Sequence, residues 1–370
     1  IIMPGASGCN SCFLTEKTAN GILTHRKEEN IMRNRTLDMI KAVCAYFVVM
    51  IHISFPGTVG NIVDALARFA VPVFFMVSGY FCYRTDGLEF EKTGKKLKHI
   101  AVLNVTAFTV YFMWELFRNH IEGVRETRWL MSLVSRENIR EFFLYNYTSP
   151  VKWHLWFLPA LLYCYVLFAF VARFRLYKVA YILIPVLLAV HFYMEELEAF
   201  TGVEYRTMMF RNYLFTGFPF FMLGHRIHKD EKSIREKFSP RFMELLLMVG
   251  AVSSVAEYAY LGKQELFMGS VLMAVSIFVL AILKKKASGE GVYEGLAQIG
   301  SNYAFFIYLF HICAGDMLKD VAGGLSLLKN PVYLWSRPVL VCILVTVAAG
   351  VYFTVFSQLK PVISRRNVIK

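Results

Sequence analysis

The chain has 370 residues, of which 56% are hydrophobic, 16% aromatic and only 18% charged, where a soluble domain carries about 25% charged residues. Its mean hydropathy is +0.47 and its formal net charge is +13. Together these exclude a soluble globular enzyme. They also argue against a nucleic-acid-binding protein, because the basic residues lie between apolar stretches and so point to an anionic lipid leaflet.

Residues 1–32 form a polar tail with no apolar signal-peptide core. The tail reads as disordered, or as an extension upstream of a start at Met32, and is set aside from the fold. Its Cys9 and Cys12 form a CxxC without a second pair, which does not make a metal or redox site. Cys44, Cys82, Cys164, Cys313 and Cys342 fall inside apolar stretches and read as small core residues.

Ten stretches are long and apolar enough to cross a bilayer, at roughly 36–55, 61–83, 99–119, 152–172, 176–194, 206–227, 242–260, 265–283, 293–318 and 336–357. They predict an all-α polytopic membrane protein, a ten-helix bundle over residues 33–358 followed by a basic tail at 359–370. Residues 293–299 stand out as a separable turn at the start of the ninth stretch. The 120–152 loop is the longest polar connection, and its Trp129–Leu144 stretch has the pattern of an interfacial helix.

Ten spans put both termini on one side. Arg33, Arg35, Arg84, Lys92, Lys95, Lys96, Lys98, Arg173, Arg226, Lys229, Lys284, Lys285, Lys286, Arg365 and Arg366 share that side, which the positive-inside rule makes cytoplasmic. The expected location is the plasma membrane, with both termini in the cytoplasm.

Ionisable residues inside the spans are costly in hydrocarbon and mark function. Lys41 and His52 share the first span, about 16 Å apart along a helix. In the expected orientation His52, Arg68, Glu115, His154, Arg211, Glu257 and His311 converge in the outer half, on different helices, as in a polar cavity inside a bundle. By pattern alone a transporter and a membrane enzyme fit equally well.

The block Asn34-Arg35-Thr36-Leu37-Asp38-Met39-Ile40-Lys41, followed by ten residues and then His52, resembles the first helix of the acyltransferase-3 family of integral membrane acyltransferases. Arg68–Tyr80 is similar to the family's second helix. His154–Leu158, Phe220–Gly224 and Tyr308–His311 follow in order, so the resemblance spans about 33–358. It implies transfer of an acyl group, usually acetyl, from cytosolic acyl-CoA to a hydroxyl of a carbohydrate or cell-envelope acceptor. Lys41 stands where many members have arginine, which replaces a planar fork with a point charge.

On this reading His52 is the general base, or carries the acyl group covalently; its plain alternative is a buried histidine bonded to a neighbouring helix. Arg68 stabilises an oxyanion or pairs with a carboxylate such as Glu115 or Glu257, and Glu115 orients His52 in a dyad. Arg35, Lys41, Ser78 and Tyr80 are the expected acyl-CoA contacts. Against that, Lys41 snorkels or pairs with Asp38, and Ser78-Gly79 serves close helix packing. His154, Trp156, Arg211 and His311 are the expected acceptor contacts. No ligand spacing supports a metal, and acyl-CoA is the only cofactor expected. The competing expectation is a transporter or exporter of an amino acid or polysaccharide using the same cavity. A third is a sensor that keeps the fold without the chemistry.

Overall fold

The computed structural model describes residues 35–85, 89–123, 126–203, 205–284 and 292–366, with the side chains of residues 126, 197–200 and 356–366 outside that description. The polar tail with Cys9 and Cys12, and Lys285 and Lys286, also lie outside it. The described residues are helical, with no strand among them.

Helix α1 is Arg35–His52, and Pro56 and Gly57 (φ +62°) turn the chain into α2, Gly57–Ala67. α2 breaks from α3 (Ala70–Tyr80) at Arg68 and Phe69. Pro72 is the cause: it has no N–H for the Arg68 carbonyl, so the helix opens one turn before it. Next come α4 (Glu89–Ile121), α5 (Glu126–Leu133) and α6 (Arg136–Tyr145). A 3₁₀ turn, Trp153–Trp156, opens α7 (Phe157–Phe174), and α8 covers Tyr177–Thr201. A π turn, Tyr213–Gly217, leads into α9 (Phe218–Lys229), followed by α10 (Glu231–Lys237), α11 (Pro240–Leu261) and α12 (Met268–Leu283). α13 (Val292–Gln298) and a second π turn, Ile299–Tyr303, lead into α14 (Ala304–Gly324), and α15 is Pro331–Arg366.

Every predicted span has a helix in its place, and among the described residues seven helical segments are long and apolar enough to cross a membrane, α2 and α3 counting together as Gly57–Tyr80 and α13 and α14 as Val292–Gly324. The three that fall short are α1, which carries Arg35, Asp38 and Lys41, α9, which is 12 residues long, and α12, which is 16. Charge and turn distortions bring α1 and α9 below that threshold. Both lie in the middle of the bundle, where neighbouring helices replace lipid; Leu37, Ala42, Cys44 and Val49 of α1 and Phe220, Phe221 and Met222 of α9 are fully buried. The turn anticipated at 293–299 is α13, joined to α14 through the π turn. The anticipated interfacial helix is instead two, α5 and α6, parted where Ser135 caps α6 by accepting the Asn138 N–H at 3.2 Å.

Small residues set the central crossings. A Cβ on Gly79 of α3 would collide with the Phe221 carbonyl of α9, and one on Gly224 of α9 would collide with the Met76 carbonyl of α3. The two helices therefore touch backbone to backbone through reciprocal glycines. Gly250 and Gly269 do the same for α11 and α12, and Gly300 of the second π turn lies on the Asp38 carbonyl of α1. The Ser78-Gly79 pair accordingly belongs to helix packing.

Gly224→Leu forces the α3–α9 crossing apart and should cost at least about 1–3 kcal/mol, seen as a fall in the thermal midpoint of the detergent-purified protein. Gly94→Ala is the contrast: a Cβ there meets nothing within 4 Å, and replacing glycine inside α4 should stabilise by up to about 1 kcal/mol.

Candidate active site

His52 ends α1. Its ring stacks on His311 of α14 at 5.1 Å between centroids and 14° between planes. His154, presented by the 3₁₀ turn, meets His52 at 6.1 Å and His311 at 5.2 Å. Trp153 sets its edge on His52 at 4.4 Å. The expected convergence of three histidines from three separate elements is thus realised.

The backbone around this trio is tied by tyrosines. Tyr308 donates its hydroxyl to the His154 carbonyl at 2.9 Å, and Tyr111 donates to the Leu309 carbonyl at 2.5 Å. His311 Nδ1 lies 2.8 Å from the Tyr308 carbonyl. A carbonyl only accepts, so Nδ1 carries the proton and Nε2 is left as a bare acceptor. That Nε2, His52 Nδ1 and both ring nitrogens of His154 are buried without a hydrogen-bond partner in the protein. Buried polar atoms are rarely left so, and this cluster is the strongest sign that something polar binds here.

A cavity of ≈ 100 Å³ opens beside the histidines, walled by Val48, Val71, Phe157 and Tyr308 on its apolar side and by His52, His154, Arg68, Arg211, Lys263 and Glu265 on its polar side. Arg68, at the α2–α3 break, is 6% exposed, which a lone guanidinium could not tolerate. It is saturated: Nη2 lies 2.8 Å from Asp64 and Nη1 2.6 Å from Glu265. Its carboxylate partners are these two and not Glu115 or Glu257, so Arg68 reaches the cavity with its donors already engaged. Arg211 shares Glu265 at 2.9 Å and lies over Trp156 at 5.4 Å.

Glu115 does not meet His52. It binds Lys152 at 2.5 Å, and Lys152 also reaches Asp316 at 3.3 Å. The expected His52–Glu115 dyad is absent because lysine, two residues before His154 in the chain, takes the carboxylate. Glu257 faces the start of α12, accepting the Met268 and Gly269 N–H groups at 2.7 and 2.9 Å, a helix cap.

At the other end of α1, Lys41 pairs with Asp38 at 2.5 Å and both line a second cavity of ≈ 600 Å³ with Ser78, Lys95, Lys96, His99 and Tyr165. Arg35 and Tyr80 lie away from it. Arg35 is paired with Glu294 at 2.5 Å. Tyr80 stacks on His228 at 4.0 Å and donates to Glu231 at 2.6 Å, which makes it a brace between α3 and α10. Ser78 donates to the Phe74 carbonyl at 3.0 Å, a local helix bond. No residue lines both cavities; the Val73–Met76 turn of α3 lies between them, with Phe75 fully buried.

Sequence reasoning missed Asp64, His191, Thr216, Lys263 and Glu265 at the first cavity and His99 and Tyr165 at the second. His191 was findable, an ionisable group in an apolar span; it reaches Glu195 at 3.0 Å. Glu265, in a short loop, carried no such mark.

A family model described as an acyltransferase domain, of the acyltransferase-3 type, matches residues 34–356. The chain is also similar to an amino-acid racemase of Enterococcus faecalis, 23% identical over 344 residues that make up 88% of this chain and 46% of the relative. The chain thus spans about half the length of that curated relative. No solved structure matches.

Glu265, in the loop between α11 and α12, offers a pH test. Burial alone would raise its carboxyl above the ordinary 4.5, but Arg211 and Arg68 outweigh burial and hold it down to about 2. Its folded value is lowered, so its contribution to stability is complete above about pH 4.5 and is lost as pH falls toward 2. Arg211→Gln removes one of the two cations and should bring that loss to higher pH. Thermal midpoints from about pH 5 to about pH 2 should diverge between the two proteins, and parallel curves would contradict the pairing.

Proposed function

The chain belongs to the acyltransferase-3 family of membrane proteins, and on that premise we propose that it moves an acyl group, acetyl in the simplest case, from cytosolic acyl-CoA to a hydroxyl of a carbohydrate or other cell-envelope acceptor. The observation that carries this reading is the placement of Lys41 and His52. Eleven steps at ~100° return to within about 20° of the starting direction, so both side chains leave one face of α1. One opens onto the large lysine cavity, the other onto the small histidine cavity.

Coenzyme A is polyanionic at its nucleotide end. Lys41, Lys95, Lys96 and His99 supply the cationic surface that such phosphates need. A pantetheine arm of roughly 15–20 Å matches the ~16 Å between the two ends of α1, with the Val73–Met76 turn as the part that must yield to let it through. At the histidine end, His52 takes the proton of the acceptor hydroxyl while that oxygen attacks the thioester carbonyl. The tetrahedral intermediate collapses by breaking the C–S bond. The sulfur leaves as thiolate and recovers the proton from the imidazolium, giving ester and free coenzyme A. His311 Nε2, beside His52, offers a second acceptor for that proton. The apolar wall of Val48, Val71, Phe157 and Tyr308 suits a short acyl chain.

The arginine and lysine distribution supports a plasma-membrane protein with both termini and the lysine cavity in the cytoplasm. The histidine cavity then faces the acceptor side, and the acceptor need not cross.

With purified protein, labelled acetyl-CoA and candidate glycans, His52→Ala should lower transfer by about 10²–10⁴-fold while acyl-CoA binding stays within about twofold. Full activity in that variant would remove the mechanism. Lys95→Ala with Lys96→Ala should raise KM for acyl-CoA about tenfold, near 1.4 kcal/mol, with kcat unchanged.

Solute transport is the second reading, and one observation favours it. The α2–α3 break at Arg68 and the π turn before α9 contribute Arg68, Pro72 and Thr216 to the histidine cavity, in the manner of interrupted transporter helices. The similarity to an amino-acid racemase, in that relative an enzyme acting on amino acids, makes amino acids the solutes to try. Proteoliposomes without any CoA should show no serine or alanine uptake above empty vesicles if the transferase reading is right; saturable uptake would replace it.

A further inference from the structure

The charges around the histidine cavity do not balance in pairs. Arg68, Arg211 and Lys263 reach it. Asp64 and Glu265 are the carboxylates they meet. Glu195, the next carboxylate, is turned elsewhere: it accepts the Glu265 and Leu266 N–H groups and meets His191.

Arg68 takes both oxygens of Asp64 and one of Glu265. Arg211 has only the other Glu265 oxygen, and its Nε is buried with no partner. Lys263 stands 3.9 Å from Asp64 with its side chain 65% exposed. Among the described residues the cavity therefore has an Arg211 Nε without a partner and three cationic side chains against two carboxylates. The three cations line the same cavity as His52 and His154.

From this we infer that the acceptor carries an anionic oxygen group, a carboxylate or a phosphate, close to the hydroxyl it presents to His52, and that Arg211 and Lys263 bind that group. The inference rests on the acyl-transfer reading for the role of the hydroxyl, while the anion site itself does not. The Arg211 guanidinium lies over Trp156 at 5.4 Å and gives Nη1 to Glu265, and its remaining N–H groups form the kind of fork that matches a carboxylate or phosphate. A neutral polyol would leave Nε and the Lys263 charge unanswered, and a cationic acceptor would be repelled.

Three probes of similar size separate the outcomes: glycerate, glycerol 3-phosphate and glycerol, with binding to the purified full chain followed by tryptophan fluorescence, since Trp153 and Trp156 line the cavity. Glycerate or glycerol 3-phosphate should bind at least about tenfold more tightly than glycerol, and which of them binds tighter names the group. Arg211→Gln should erase that preference and Arg211→Lys should keep part of it. Acyl-CoA binding, measured in parallel by calorimetry, should stay within about twofold in both variants, which shows that they fold. Equal affinities for the three probes, or an undiminished preference in Arg211→Gln, would overturn the inference. Anion preference in a protein that binds no acyl-CoA would sink the transferase reading and leave the anion site standing.

Discussion

A guanidinium in the middle of a hydrophobic bundle has to be neutralised where it stands, and Arg68 is placed at a helix break so that it can be. Asp64, one turn back in α2, meets one side of the guanidinium by ordinary helix spacing, while the α11–α12 loop delivers Glu265 to the other. Removing either partner would strand a buried charge. Much of the rest follows. Glu265 must be held in place, which Glu195 does through two backbone N–H groups. Arg211 must sit near enough to share Glu265, which sets the π turn before α9. The cavity wall beside the histidines is the inner surface of this lattice of ion pairs.

Seen this way, the two ends of α1 are built on different principles. The histidine end is preorganised: rings stacked, carbonyls tied by Tyr308 and Tyr111, and less space than at the lysine end. The lysine end is roomy, with Lys95 and Lys96 in its wall and Lys96 donating to the Phe81 carbonyl. A tight reaction chamber and a loose docking port suit a donor that is mostly handle, with a reactive tip of a few atoms.

The architecture was legible in the sequence because hydropathy reports burial in lipid directly: all ten predicted stretches are helical, and the histidines fell where their depth placed them. Partner choice was not legible. Depth cannot say which way a side chain leaves its helix, so Glu115 was assigned to His52 when Lys152 stood closer, and Tyr80 was read as a ligand contact when His228 and Glu231 hold it. Three of the ten stretches are short or charged as helices, and a window of apolar residues does not distinguish lipid from protein as the medium around them. Glu265 was passed over for a related reason: as the first residue of the eighth predicted stretch it looks like a solvated end, until the 262–267 loop places it on a cavity.

The Val73–Met76 turn, with Phe75 fully buried, keeps the two cavities from sharing a wall residue. Lodged between an imidazole cluster and a basic vestibule, that hydrophobic plug keeps the two chambers apart, so a single ligand that occupied both would have to push it aside.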